Sequence, residues 1–144
     1  MIAAGFGCRK GCAREDVVRA LHAALERAGC ALADVAALYA PEFKAEEPAL
    51  GEVARQLDKP LVLLAAENLR AFEPLALTRS SRVLEHTGLS SIAETAALAG
   101  ASELARSREV RLLGPRSANG GATCALAATG GVSSAAIRGE ENSS

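Results

Sequence analysis

The sequence predicts an α/β domain of three layers, α/β/α, built on a mostly parallel sheet of about five strands with a C-terminal antiparallel hairpin. Three observations predict it. Short apolar runs at Met1–Phe6, Val35–Ala40 and Leu61–Ala65 alternate with amphipathic stretches of helical period. The segments between them are long enough for crossover helices, which make neighbouring strands parallel and the crossings right-handed. Further on, Glu109–Leu113 and Ala122–Ala127 read as strands flanking Gly114–Gly121, which is rich in turn residues.

The elements follow in order. After the first strand comes Gly5-Phe6-Gly7-Cys8-Arg9-Lys10-Gly11-Cys12, read as a glycine-rich loop. The helix beyond it runs from about Ala13 to Ala28. Val17, Ala20, Leu21, Ala24, Leu25 and Ala28 form its apolar face, and Gly29 is its stop. Cys12 is expected as N-cap with Glu15 three residues on, a capping box with a thiol in place of a hydroxyl. Pro41–Glu47 is a loop after the second strand, and Pro48 opens a second helix with Leu50, Val53, Ala54 and Leu57 inside. That helix stops before Lys59-Pro60. The continuous run Leu61–Ala65 is typical of a strand buried on both faces. Glu67–Phe72 is expected as a turn or two of helix, and Ser80–His86 as a short helix ending near Gly88. Ser91-Ile92-Ala93-Glu94 is a capping box opening a helix to about Ala99, with Gly100 as its stop.

The 144 residues fit one domain, expected over 1–129, with a Gly-, Ser- and acid-rich tail over 130–144 expected to be disordered. Only four residues are aromatic, so Ala, Leu and Val must build the core. A net charge of −1 predicts no general attraction to nucleic acid. Thirteen Arg against three Lys favour bidentate contact with carboxylate or phosphate. No apolar run reaches the ~18 residues a membrane span needs, and no basic-then-apolar leader is seen. A cytoplasmic protein with reduced thiols and no membrane partner is expected. Cys8-x3-Cys12 is not a standard zinc spacing, and no nearby Cys/His pair completes four ligands, so no metal and no cofactor are expected.

Ligands of open α/β sheets bind beyond the carboxyl ends of the strands. Three loops emerge there: Gly5–Cys12, Ala40–Glu47 and Ala66–Asn68. They bring Arg9, Lys10 and Lys44 together with Glu42, Glu46, Glu47 and Glu67. The first loop also meets a helix N-terminus, whose unpaired N–H groups and dipole favour an anion. It is not a nucleotide loop: Gly5-x-Gly7-x3-Gly11 lacks both the dinucleotide spacing and a G-K-[ST] ending. Neither His22 nor His86 stands by a Cys or Ser in a nucleophile pair, and no G-x-S-x-G elbow is present.

Gly7-Cys8-Arg9-Lys10-Gly11, then Lys44-Ala45-Glu46-Glu47-Pro48, then Ser91-Ile92-Ala93-Glu94 resemble, in that order, the family of CobE and the CbiG C-terminal domain, proteins of cobalamin biosynthesis. The likeness covers about residues 1–128. Arg116, Ser117, Asn119 and Thr123 match its final hairpin, while Cys12 stands where the family commonly has Ser or Thr. The resemblance implies a three-layer α/β/α fold and a corrin-ring precursor as ligand, a macrocycle bearing many acetate and propionate groups. It implies ligand-binding roles for Gly7, Cys8, Arg9, Lys10, Gly11, Cys12, Lys44, Glu47, Ser117 and Asn119. It also implies the standalone CobE type of the oxygen-dependent route, and other cobalamin-biosynthesis enzymes as partners. Full-length CbiG-type proteins open a precorrin lactone and release acetaldehyde. Three readings follow: a carrier that binds and hands over a precorrin; a precorrin lactone hydrolase or lyase; and a non-catalytic partner of another pathway enzyme. In the second, Glu47 or Glu42 would act as base or position a water, and Lys44 or Arg9 would stabilise developing charge.

Overall fold

The computed structural model of the chain describes residues 1–78 and 91–129. The helix expected at Ser80–His86 and the tail expected from Gly130 lie outside the described residues. Six strands form one sheet in the order β3-β2-β1-β6-β4, with β5 also paired to β6. Strand β1 (Ile2–Cys8), β2 (Val35–Pro41) and β3 (Leu61–Leu64) are parallel. Strand β6 (Ala122–Thr129) lies antiparallel to β1 and to β4 (Val110–Leu112) and β5 (Ser117–Asn119). The expected three-layer α/β/α class stands, with one strand more than expected in the antiparallel part.

The sheet is covered on both sides, and β1 shows how the sequence arranges it. Alternate residues of a strand face opposite ways. Ile2, Ala4, Phe6 and Cys8 pack with Val17 and Leu21 of helix α1 (Arg14–Ala28) and with Leu50 and Val53 of α2 (Pro48–Leu57). Ala3 faces the other layer, where Leu69 of α3 (Ala66–Arg70) and Ala93, Ala96 and Ala97 of α4 (Ile92–Ala105) pack. Helix α4 is buried all round from Ala93 to Ala101, which suits its Ala-rich sequence.

Strand β1 continues past Phe6 through Gly7 and Cys8, which were expected in the glycine-rich loop. Gly5 is a contact residue: a Cβ there would collide with backbone of Ala93 and Ala97, so its bareness lets α4 press onto the strand. Gly100 does the same. It is not a stop but lies inside α4, where a Cβ would stand 2.5 Å from the Tyr39 ring. Gly29 does end α1, at φ 69°, as expected.

Three further expectations are corrected. The N-cap of α1 is Ala13 rather than Cys12, so the Cys12–Glu15 box is not formed. Strand β3 is not buried on both faces: it is the sheet edge, and only Leu64 is fully buried. Gly114–Gly121 is not one hairpin loop. Strands β4 and β5 run end to end along β6, with Leu112 opposite Ala127 and Ser117 opposite Cys124. The chain between Leu112 and Ser117 is longer than the β6 stretch facing it, and the excess bulges at Gly114 (φ 123°) and Pro115. The hairpin closes at Gly120-Gly121, with Gly120 at φ 58°.

Candidate functional site

The carboxyl end of β1 hands over to α1 through a turn of five residues, Arg9–Ala13. The turn closes by the Cys12 N–H donating to the Arg9 carbonyl at 3.0 Å, with Gly11 left-handed at φ 75°. It leans on the hairpin turn, where the Arg9 N–H donates to the Gly121 carbonyl at 2.8 Å. The Gly121 N–H in turn donates to Asp16 Oδ2 at 3.4 Å. A side chain at Gly121 would meet the Cys12 Cβ at 3.1 Å. The hairpin therefore reaches this edge through Gly121.

The second wall is the segment after β2. A 3₁₀ turn at Glu42–Lys44 leads to Glu47, the residue before α2. Glu47 Oε1 accepts the Gly11 N–H at 2.8 Å, joining loops 36 residues apart. The bond brings Glu47 beside two thiols: Cys8 Sγ, Cys12 Sγ and a Glu47 carboxylate oxygen all lie within 4.8 Å of one another. Burial, then the hydrogen bond with Cys12, and the charges of Cys12 and Glu47, push the Cys8 thiol up to about 12, while Lys44 opposes them. Among the described residues the ion pairs are Arg14–Glu15 at 3.8 Å and Arg19–Asp16 at 3.5 Å. Arg9, Lys10 and Lys44 pair with no described carboxylate, and Arg9 and Lys10 are exposed.

Most residues singled out from the sequence meet at this edge: Cys8, Arg9, Lys10, Gly11, Cys12, Lys44 and Glu47. Gly7 precedes them inside β1, where its carbonyl accepts the Thr123 hydroxyl at 3.3 Å. Asn119 is opposite Ala122, which pairs with Cys8, so it stands at the same end of the sheet. Ser117 is farther back, opposite Cys124, and is buried. Its hydroxyl accepts from Arg27 Nη1 at 3.1 Å, near the end of α1. Glu42 is exposed in the 3₁₀ turn. Glu67 lines a different hollow, of about 740 Å³, between α3 and the C-terminal half of α4.

Sequence reading missed three residues. Asp16, an acid in the first turn of α1, takes the hairpin amide. Phe43 is half exposed beside Lys44, and an aromatic amid loop charges was the available signal. Glu94 was read as the return half of a capping box. The Ser91 hydroxyl does accept the Glu94 N–H at 3.3 Å. The fully buried Glu94 carboxylate goes elsewhere, accepting from the Leu77 and Thr78 N–H groups, the Thr78 hydroxyl and the Arg116 N–H at 2.7–2.9 Å.

Comparison with known proteins agrees with this architecture. Residues 2–127 match the family described as Cobalamin synthesis G C-terminus. Protein CobE of Sinorhizobium sp is 32% identical over 123 residues, 85% of this chain and 77% of that protein. The crystal structure of a CobE, a protein from the cobalamin (vitamin B12) biosynthetic pathway, superposes with a TM-score of 0.82 at 39% identity, covering 88% of this chain and 89% of that one. The cobalamin biosynthesis protein chiG of Agrobacterium tumefaciens str. C58 gives a TM-score of 0.67 at 36% identity, covering 90% and 98%. No helix among the described residues is long and apolar enough to cross a membrane. The chain belongs to the cobalamin synthesis G C-terminus family, to which the sequence motifs had pointed.

Proposed function

We propose that this chain binds a carboxylate-rich corrin-ring precursor at the carboxyl edge of β1 and β2 and hands it to another enzyme of cobalamin biosynthesis. The observation that carries the reading is the convergence of Arg9, Lys10 and Lys44, none of them paired with a described carboxylate. Acetate and propionate arms would supply the missing anions through charge-assisted hydrogen bonds. Phe43 offers an apolar surface next to them for the ring itself. The open edge leaves one face of a bound macrocycle accessible, as a handover needs.

Titration with hydrogenobyrinic acid, followed by the corrin absorbance, tests the reading. Saturable binding at micromolar protein is expected. The double variant Arg9→Ala, Lys10→Ala should bind at least tenfold more weakly, a loss of about 1.4 kcal/mol, while its unfolding transition stays in place. Equal affinity in the double variant would remove the turn from the site.

A second reading, a precorrin lactone hydrolase or lyase, is favoured by Glu47. One of its oxygens is held by Gly11, which leaves the other to position a water. Incubation with a lactone precorrin and mass spectrometry of the product distinguishes the two. Loss of acetaldehyde would establish the enzyme; unchanged substrate mass keeps the carrier.

A further inference from the structure

We propose that Cys8, Cys12 and Glu47 form a site for one thiophilic divalent metal ion of the zinc class, whether or not the edge also takes a corrinoid. Three separate pieces of backbone deliver the donors: the last residue of β1, the end of the turn, and the residue before α2. Their ligand atoms lie within 4.8 Å of one another. Zinc–sulfur bonds of about 2.3 Å and zinc–oxygen bonds of about 2.0–2.2 Å set tetrahedral ligand atoms roughly 3.5–3.8 Å apart. The donors therefore need to close by about 1.3 Å at most, which side-chain rotation can supply.

The donor set selects the metal. Two sulfurs and one carboxylate oxygen suit zinc or cobalt and are poor for magnesium or calcium, which require oxygen shells. The Gly11 N–H on Glu47 Oε1 is the orienting bond that metal-ligating carboxylates have, and it leaves Oε2 for the ion. Cys12 and Glu47 are only partly buried, so an ion has a way in and a fourth position stays open to water. On binding, both thiols lose their protons to solvent and the ion takes the two sulfur lone pairs. Two thiolates, one carboxylate and a divalent ion leave one net negative charge, which the nearby Lys44 cation offsets. The sequence hides this site because zinc spacing rules count ligands close in the chain, and Glu47 arrives from 35 residues beyond Cys12.

Cobalt(II) titration of the reduced protein tests the proposal without any corrinoid present. One equivalent should raise thiolate-to-cobalt charge-transfer absorption in the near ultraviolet, with d–d bands of tetrahedral intensity, and zinc(II) should abolish both. Cys12→Ser should lower the charge-transfer intensity by about half, as one of two thiolates is lost. Glu47→Gln should keep both thiolates but weaken affinity at least as much as the roughly ten- to hundredfold that loss of an outer-shell partner costs. Cys30→Ser, distant from the cluster, should change nothing. Circular dichroism of each variant checks that it is folded. Absence of the charge-transfer band, a band of undiminished intensity in Cys12→Ser, or a band that vanishes in Cys30→Ser would overturn the site. So would a chain that converts to a Cys8–Cys12 disulfide and takes no cobalt after reduction.

Discussion

Two glutamates, at helix starts in the two layers that cover this sheet, are used differently. Glu94, at the start of α4, is fully buried and accepts four hydrogen bonds from the described residues, which gather Leu77, Thr78 and Arg116 around one carboxylate. Glu47, at the start of α2, is partly exposed and accepts one from the described residues, that of Gly11. Both precede or open a helix, and both hold a loop in place. Glu94 has all its acceptor capacity taken by protein, so it organises structure. Among the described residues only the Gly11 N–H donates to Glu47, which lies next to two thiols and Lys44 and so is available to a ligand. A carboxylate's role here is read from the number of protein donors it already has.

The contrast gives a graded set of stability changes, read as shifts in the urea midpoint at constant slope. Glu94→Ala should cost most, about 3 kcal/mol or more, because four donors lose a charged acceptor in a buried place. A loss under about 1 kcal/mol would mean that water replaces the carboxylate and that the contrast with Glu47 is false. Gly100→Ala should follow, at about 1–3 kcal/mol, as the new methyl is forced into the Tyr39 ring. Gly11→Ala should cost about 1 kcal/mol: no atom within 4 Å opposes a Cβ, so only the left-handed backbone is penalised. Gly11→Asn should recover part of that loss, since Asn tolerates this conformation. Glu47→Gln should be the mildest, within about 0.5 kcal/mol, because the amide oxygen still accepts the Gly11 N–H. Its larger effect should appear in cobalt(II) affinity.

The same glycines explain how far the sequence could be read. Gly29 and Gly11 serve their φ, and turn chemistry identifies such residues correctly. Gly5 and Gly100 serve space instead: they let α4 approach β1 and Tyr39. A sequence does not distinguish a glycine that bends the chain from one that admits a neighbour. For this reason β1 was read as ending at Phe6, and α4 as stopping before Gly100. Strand alternation and helix periodicity were legible because they are local. The edge placement of β3 was not, since an apolar tetrapeptide looks alike in the centre and at the rim. At the site, the loops carrying Arg9, Lys10, Lys44 and Glu47 could be brought to one edge from topology. The bond from Gly11 to Glu47 could not, because it depends on the angle at which two loops meet.

We propose that a corrin acid rests on the turn after β1 and the segment after β2, and a crystal structure of the chain soaked with hydrogenobyrinic acid tests this directly. Ring carboxylates are expected against Arg9, Lys10 and Lys44, with Phe43 at the ring edge. A ring seated instead in the hollow between α3 and α4, against Phe72, Arg106 and Arg108 with the Arg9–Cys12 turn bare, would contradict it.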